Sequence, residues 1–221
     1  MIQTTNRGDE KMEKRIQRLY ECELRAENDE QNGDHLEGRP IVYGAETIIA
    51  GRFKEVIDRG ALDEADLTDV AFLVNHDNEM IPLARSRRNN INSTMQMMID
   101  SEGMAIRVNL DTENNMVSKS LYSATKRKDV SGMSFAFLVD GEEWTDLDSD
   151  MPTRHIRSIK KVFEVSACTF PAYNQTVLEA RTAESLENDL AALERAKAAE
   201  RDVNLRNEIK ALIAGGQNNA D

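Results

Sequence analysis

The chain has 221 residues, of which 40% are hydrophobic and 31% are charged, and 28 Lys and Arg against 40 Asp and Glu leave a net charge of −12. This length is sufficient for one buried core with residues left over for tails. The acidic balance argues against a nucleic-acid-binding protein, which usually carries a net basic face, and no apolar stretch approaches the roughly 20 residues of a membrane span.

The N-terminal part predicts an arm followed by strands. Residues 1–15 are polar and without periodicity, as expected for a flexible arm. Over residues 20–27, apolar and polar residues alternate with the period of two that marks a half-buried strand. A second strand is expected at 40–43, with Pro40 at a strand start or on a sheet edge because it has no N–H to donate. Residues 53–62 predict a loop with one helical turn.

The middle of the chain predicts a buried strand, a hairpin and a helix. Residues 70–74 are almost wholly apolar, which indicates a strand buried on both faces. Apolar residues alternate on both sides of the turn at 100–103, as in a β-hairpin whose methionines fill the core. Residues 113–128 have apolar residues at helical spacing and end in a basic run, which suits the negative end of a helix dipole.

The last third predicts three strands, at 133–139, 154–160 and 162–170, with an acidic loop at 142–151. Residues 176–214 then contain no Pro or Gly and are rich in Ala, Leu, Glu and Arg, which predicts one long helix or two. The sequence thus predicts a mostly β protein of the α+β class, in which a domain at 16–175 lies between the arm at 1–15 and a helical tail at 176–221.

Candidate catalytic side chains lie at the ends of two apolar strands and inside a third. His76 follows the strand at 70–74, Ser134 opens the strand at 133–139, and Glu164 lies inside the strand at 162–170. A serine hydroxyl becomes a nucleophile when a base takes its proton, and the base works best when a third group orients it. Serine, histidine and a carboxylate supply these three roles.

Other readings of the same residues stay open. Ser131 and Ser166 are rival hydroxyls, and His76 could be a plain histidine of a surface loop. Glu164 could face the edge of a sheet, or could pair with either His76 or His155. Asp77 is adjacent to His76, but neighbouring side chains on an extended segment point to opposite faces, which argues against that pair.

The sequence gives no reason to expect a metal or cofactor. Its three histidines are spread over 120 residues without a metal-ligand spacing, and its two cysteines, Cys22 and Cys168, lie far apart. We expect both cysteines to be buried thiols. No phosphate-binding glycine loop and no Gly-x-Ser-x-Gly elbow are present.

The order of several loose motifs is more specific than any one of them. They are Phe-x-Glu-x-Ile at 53–57, Gly-Ala-Leu at 60–62, Asn-His-Asp at 75–77, Pro-Leu-x-Arg at 82–85, Ser-x-x-Ser-Phe-x-Phe at 131–137, Glu-Val-Ser at 164–166 and Pro-Ala-Tyr at 171–173. This succession resembles the prohead (capsid maturation) proteases of tailed bacteriophages, over about residues 18–175. Their fold is similar to that of the herpesvirus assembly proteases, which implies a β-barrel with flanking helices.

The resemblance implies a serine endopeptidase with His76 as general base and Ser134 as nucleophile. Glu164 would be the third member, with His155 as the alternative because the herpesvirus proteases use a second histidine. Backbone N–H groups near Ser134 are the default oxyanion donors, and Arg85 is a further candidate.

The implied substrates are the scaffold portion of the major capsid protein and the protease itself, which could act as a dimer or higher oligomer. The implied place is the host cytoplasm, inside the assembling procapsid, with no cofactor and no nucleic-acid or membrane partner. Two alternatives remain: a non-catalytic scaffold or assembly protein that works through the helical tail, and an unrelated β-barrel module that binds a small ligand.

Overall fold

The computed structural model describes residues 16–20, 24–30, 33–169 and 181–216, and these form eleven strands and two helices. The expected arm at 1–15 lies outside the described residues, as does Cys22. In chain order the elements are β1 (Ile16–Tyr20), β2 (Leu24–Asp29), β3 (Gly33–Val42), β4 (Glu46–Ile49), β5 (Phe53–Ile57), β6 (Asp69–Val74), β7 (Ala84–Arg87), β8 (Met95–Asp100), β9 (Gly103–Asn109), α1 (Met116–Lys126), β10 (Gly132–Thr145), β11 (Thr153–Cys168) and α2 (Arg181–Gly216).

The strands form two sheets. The larger has the order β1-β10-β11-β5-β4, with β6 beside β11 and β7 beside β6, and the smaller has the order β2-β3-β9-β8. Strand β11 is long enough to pair in parallel with β5 through residues 153–156 and with β6 through residues 164–167. The mostly β, α+β class is confirmed. The expected barrel is wrong for the described strands, because β1 and β4 end the larger sheet without pairing with each other.

The predicted hairpin is confirmed as β8 and β9, which pair from Met95 opposite Val108 to Asp100 opposite Gly103. Met95 and Met104 are fully buried and fill the core, as expected, whereas Met98 faces solvent. Gly103 has a φ of 138°, and a Cβ added there would lie 2.0 Å from the carbonyl oxygen of Ile41. Only glycine fits this close approach of β9 to β3.

The expectations for three segments, 20–27, 53–57 and 142–170, are wrong in part. The alternation at 20–27 covers two strands in different sheets, because β1 ends at 20 and β2 begins at 24. Residues 53–57 form the strand β5 and not a loop with a helical turn. The segments 154–160 and 162–170 belong to one continuous strand, β11, and β10 continues to residue 145, which shortens the acidic loop. Pro40 lies past Gly38, the last residue of β3 that pairs with β2, which agrees with the expected edge position, and a register shift against β9 between Gly38 and Ile41 accommodates its missing N–H.

Helix α1 lies within the predicted 113–128. Asn115 caps its N-terminus by accepting hydrogen bonds from the backbone N–H groups of Val117 and Ser118. The helix buries Ser118, Leu121 and Thr125, whereas Met116 and Val117 of the predicted apolar face are exposed.

Helix α2 is one helix of 36 residues, and its first part packs on the sheet. Ala192 and Leu193 are buried, and so is Asp189, whose Oδ1 accepts a hydrogen bond of 2.8 Å from Nη1 of Arg154 in β11. Residues 198–211 are all exposed. Neither described helix combines the length and apolar character needed to cross a bilayer.

Candidate active site

The segment that carries His76 is a tight turn at the end of β6. The N–H of Asn75 donates to the carbonyl of Ala167 in β11 (2.9 Å), and the N–H of Asp77 donates back to the carbonyl of Val74 (3.1 Å). Asn75 and His76 both have positive φ, 50° and 58°, as the two central residues of a type I′ turn do. Each such backbone conformation costs about 1 kcal/mol or more outside glycine.

The side chain of Asn75 stabilises this turn. Its Oδ1 accepts hydrogen bonds from the backbone N–H (3.0 Å) and the hydroxyl (3.2 Å) of Thr169, just past β11. Asparagine also tolerates the left-handed region better than most residues. The hydrogen bonds of Asn75 therefore hold the start of the turn against the end of β11.

His76 and Glu164 are in direct contact. Nδ1 of His76 lies 2.5 Å from Oε1 of Glu164, and the two side chains are 10% and 2% exposed. Because a carboxylate accepts hydrogen bonds, Nδ1 carries the hydrogen, which leaves Nε2 as the nitrogen that can take up a proton. The pairing also explains how a carboxylate can lie inside an apolar strand, since a buried charge needs a partner.

Ser166 joins the two members of this pair. Its hydroxyl donates to Oε2 of Glu164 at 2.6 Å and accepts the backbone N–H of His76 at 3.2 Å. The sequence presented Ser166 only as a rival nucleophile. Its spacing of two from Glu164 was the available signal, because residues two apart on a strand lie on the same face.

Ser134 lies directly across from Ser166 in the pairing of β10 with β11, and Ala136 lies across from Glu164. Residues opposite each other on neighbouring strands share a face, with Cβ atoms about 4.5–5.5 Å apart. Ser134, Ser166 and Glu164 are therefore on one face of the sheet. Ser134 is fully buried in this structure.

The remaining candidate residues, His155, Arg85 and Asp77, make other contacts. His155 has Nδ1 3.0 Å from Oδ1 of Asp58, and it precedes Glu164 by nine residues on β11, about 30 Å at the usual rise of a strand. Arg85 forms two hydrogen bonds with Asp69, of 2.6 and 2.7 Å, and this contact raises the pKa of the guanidinium. Asp77 accepts the backbone N–H of Glu79 and so supports its own turn.

The backbone around Ser134 is part of the sheet on both sides. Strand β1 pairs with β10 on one edge, where Leu19 is opposite Ser134, and β11 pairs on the other. Residues 133–137 of β10 therefore have a strand partner on each side, and Ser134 lies within this doubly paired segment.

Residues 21–190 match the family of caudovirus prohead serine proteases. Among solved structures, the capsid assembly protease of bacteriophage T4 is similar at 11% sequence identity and a TM-score of 0.41, over 70% of this chain and 97% of that chain. No curated protein matches the sequence. Since the family match spans most of the chain, the protein is a protease of phage capsid maturation. The chain belongs to the caudovirus prohead serine protease family.

Proposed function

We propose that the protein is a serine endopeptidase in which Ser134 is the nucleophile, His76 the general base and Glu164 the group that orients the base. The contact of 2.5 Å between His76 and Glu164 carries this proposal, together with the position of Ser134 on the same face of the sheet as Glu164. The contact also favours Glu164 over His155 as the third member.

The chemistry follows from these positions. Nε2 of His76 takes the proton of the Ser134 hydroxyl as Oγ attacks the peptide carbonyl, and Glu164 stabilises the imidazolium that forms. His76 then gives this proton to the leaving amine, and the C–N bond breaks to leave an ester on Ser134. Water, deprotonated by His76, hydrolyses the ester and restores the hydroxyl. Because Ser134 is fully buried, the site has to open to admit a peptide.

A capsid maturation protease interacts with capsid precursor proteins. We propose that the peptide bonds cleaved here lie in the scaffold portion of the major capsid protein and in the protease itself, inside the assembling procapsid. Membership of the prohead family supports this choice. The helical tail at 176–221 would be one of the segments removed from the protease itself.

Coexpression with the capsid precursor tests the assignment. We expect the unaltered chain to cleave the precursor. The variants Ser134→Ala and His76→Ala should leave the precursor intact, because each substitution removes one partner of the proton transfer. Ser131→Ala is the matched control, since Ser131 is the exposed rival hydroxyl three residues away. Cleavage by Ser134→Ala at the normal rate would rule Ser134 out as nucleophile.

Self-cleavage needs a separate test. Purified protein at high concentration should shorten with time, and Ser134→Ala should stay full length. If both chains stay full length under conditions in which the unaltered protein cleaves the precursor, self-processing is wrong and the peptidase assignment stands.

One observation favours a second, scaffold-like role for the tail. The part of α2 beyond the sheet exposes Val203, Leu205 and Ile209. A chain ended before residue 198 should cleave the precursor normally yet assemble into procapsids less efficiently if the tail has this role. Family membership argues against the third possibility, a module for a small ligand.

A further inference from the structure

Ser166 makes two polar contacts that neither a nucleophile nor a simple core residue would need. It is fully buried, and its hydroxyl touches both the carboxylate of Glu164 and the backbone N–H of His76. We propose that Ser166 is a positioning residue, which holds Glu164 and His76 in the orientation that proton transfer needs. This inference rests on the proposed function of His76 and Glu164.

The first contact fixes the plane of the carboxylate. A glutamate carboxylate rotates easily about its last bond, because that torsion is broad and roughly two-fold. Oε1 faces Nδ1 of His76, and the Ser166 hydroxyl donates to Oε2 at 2.6 Å. With one oxygen held by each partner, the carboxylate keeps Oε1 directed at the imidazole.

The second contact fixes the backbone of the base. His76 has a left-handed φ of 58° within a two-residue turn, and such a conformation persists only where surrounding contacts hold it. The Ser166 hydroxyl accepts the His76 backbone N–H at 3.2 Å. One hydroxyl therefore sets the position of the imidazole and the direction of the group that orients it.

The same contacts separate the roles of the two facing serines. The hydroxyl hydrogen of Ser166 is committed to Glu164, and a lone pair on its oxygen accepts the His76 N–H. A nucleophile has to give its proton to the base instead. Ser166 is therefore assigned to supporting the His76–Glu164 pair, and Ser134, on the neighbouring strand, is the nucleophile of the proposed function.

The test compares Ser166→Ala with Ser86→Ala. Ser86 is also fully buried, and its hydroxyl has no hydrogen-bond partner among the described residues, so the same atom is removed without touching the site. Two readouts are measured: the rate at which a fluorophosphonate labels Ser134, with the labelled residue identified by peptide mapping, and the NMR resonance of the His76 Nδ1 hydrogen. Ser166→Thr keeps the hydroxyl and suits a strand.

We expect Ser166→Ala to label about ten- to a hundredfold more slowly than Ser86→Ala, the range that follows from losing a hydrogen bond to a charged group. The deshielded Nδ1 resonance should be lost in Ser166→Ala and kept in Ser86→Ala, and Ser166→Thr should restore both readouts. If Ser166→Ala does not fold, Ser166→Cys replaces it, because a thiol fills the space but donates weakly.

Three results would overturn the inference: labelling of Ser166→Ala within twofold of Ser86→Ala, an unchanged Nδ1 resonance, or a label on Ser166 itself. Failure of the proposed function is distinguishable from these. If the unaltered chain neither labels nor cleaves, the peptidase assignment fails, and the Nδ1 resonance alone still decides whether Ser166 holds the His76–Glu164 pair.

Discussion

Nδ1 of His76 and Oε1 of Glu164 lie 2.5 Å apart, although 88 residues separate them along the chain. The parallel pairing of β6 with β11 creates this contact, since it places the end of β6 beside the segment of β11 that contains Glu164. A charge-assisted hydrogen bond of this kind is about twice as strong as a neutral one. It makes Glu164 the natural target of the first test.

Glu164→Gln should reduce precursor cleavage by as much as about ten-thousandfold, the loss seen when the orienting carboxylate of a catalytic triad becomes an amide. The amide keeps the shape but cannot stabilise the imidazolium. Cleavage of the capsid precursor by purified variants measures the effect. Glu79→Gln, at an exposed glutamate three residues past His76, should cleave normally. A fully active Glu164→Gln would remove Glu164 from the mechanism.

Asn75→Ala should destabilise the fold by about 1–3 kcal/mol, because it loses hydrogen bonds to Thr169 and puts alanine at a φ of 50°. Asn75→Gly loses the same bonds but tolerates the left-handed backbone, so it should be less destabilised. Urea unfolding at constant m-value measures both free energies of unfolding. Equal losses in the two variants would show that the backbone conformation contributes nothing.

Arg154→Ala should destabilise the protein more than Asp189→Ala. Arg154 pairs with Glu55 and Glu142 as well as with Asp189, so removing it affects three carboxylates, whereas removing Asp189 affects one. Breaking a buried ion pair costs about 3–5 kcal/mol, and we expect Asp189→Ala to lose less than this because the other two pairs remain.

Asp189→Ala should also loosen α2. Limited proteolysis within α2 should be faster in that variant, and Asp202→Ala, at an exposed position of the same helix, should cleave at the normal rate. Identical proteolysis of Asp189→Ala and Asp202→Ala would mean that the ion pair does not hold the helix.

Asp100 should make stability depend on pH in acid. The hydrogen-bonded Arg39 guanidinium, with the backbone N–H of Glu102, lowers the pKa of Asp100 from 3.8 to about 2. A carboxyl with a lowered pKa in the folded state stabilises the fold above the unfolded pKa, and this contribution is lost as the pH falls toward the folded pKa. The difference in unfolding free energy between the unaltered chain and Asp100→Asn should therefore be constant above about pH 5. It should shrink between about pH 4 and pH 2. The same difference at pH 6 and pH 2.5 would contradict the pairing of Asp100 with Arg39.

Features with a local cause could be predicted from the sequence. The apolar run at 70–74 and the alternation around 100–103 both form strands as predicted, although Ala71 and Val74 of the first are only half-buried. The prediction for residues 53–57 was wrong because Phe53 and Ile57, four residues apart, suit one face of a helical turn followed by Leu62. The true reason for the broken alternation is Glu55, which is fully buried and paired with Arg154.

The candidate site could not be predicted from local sequence patterns alone. His76 could pair with Glu164 only through the pairing of β6 with β11, and no local spacing records that register. The sequence also left open whether Glu164 or His155 is the third catalytic residue. Both lie on β11, and only the length of this strand keeps His155 away from His76. The resemblance to prohead proteases supplied the preference for Glu164. The shared contact of Ser166 depends on the backbone direction of His76, which no sequence motif encodes.

Strand β11 holds α2 near its start and carries Glu164 and Ser166 near its end. Arg154, which anchors α2, precedes Ser166 by twelve residues on β11, roughly 40 Å at the usual rise of a strand. A substitution at the Arg154 end of β11 can therefore change how firmly α2 is held without moving the residues around Glu164.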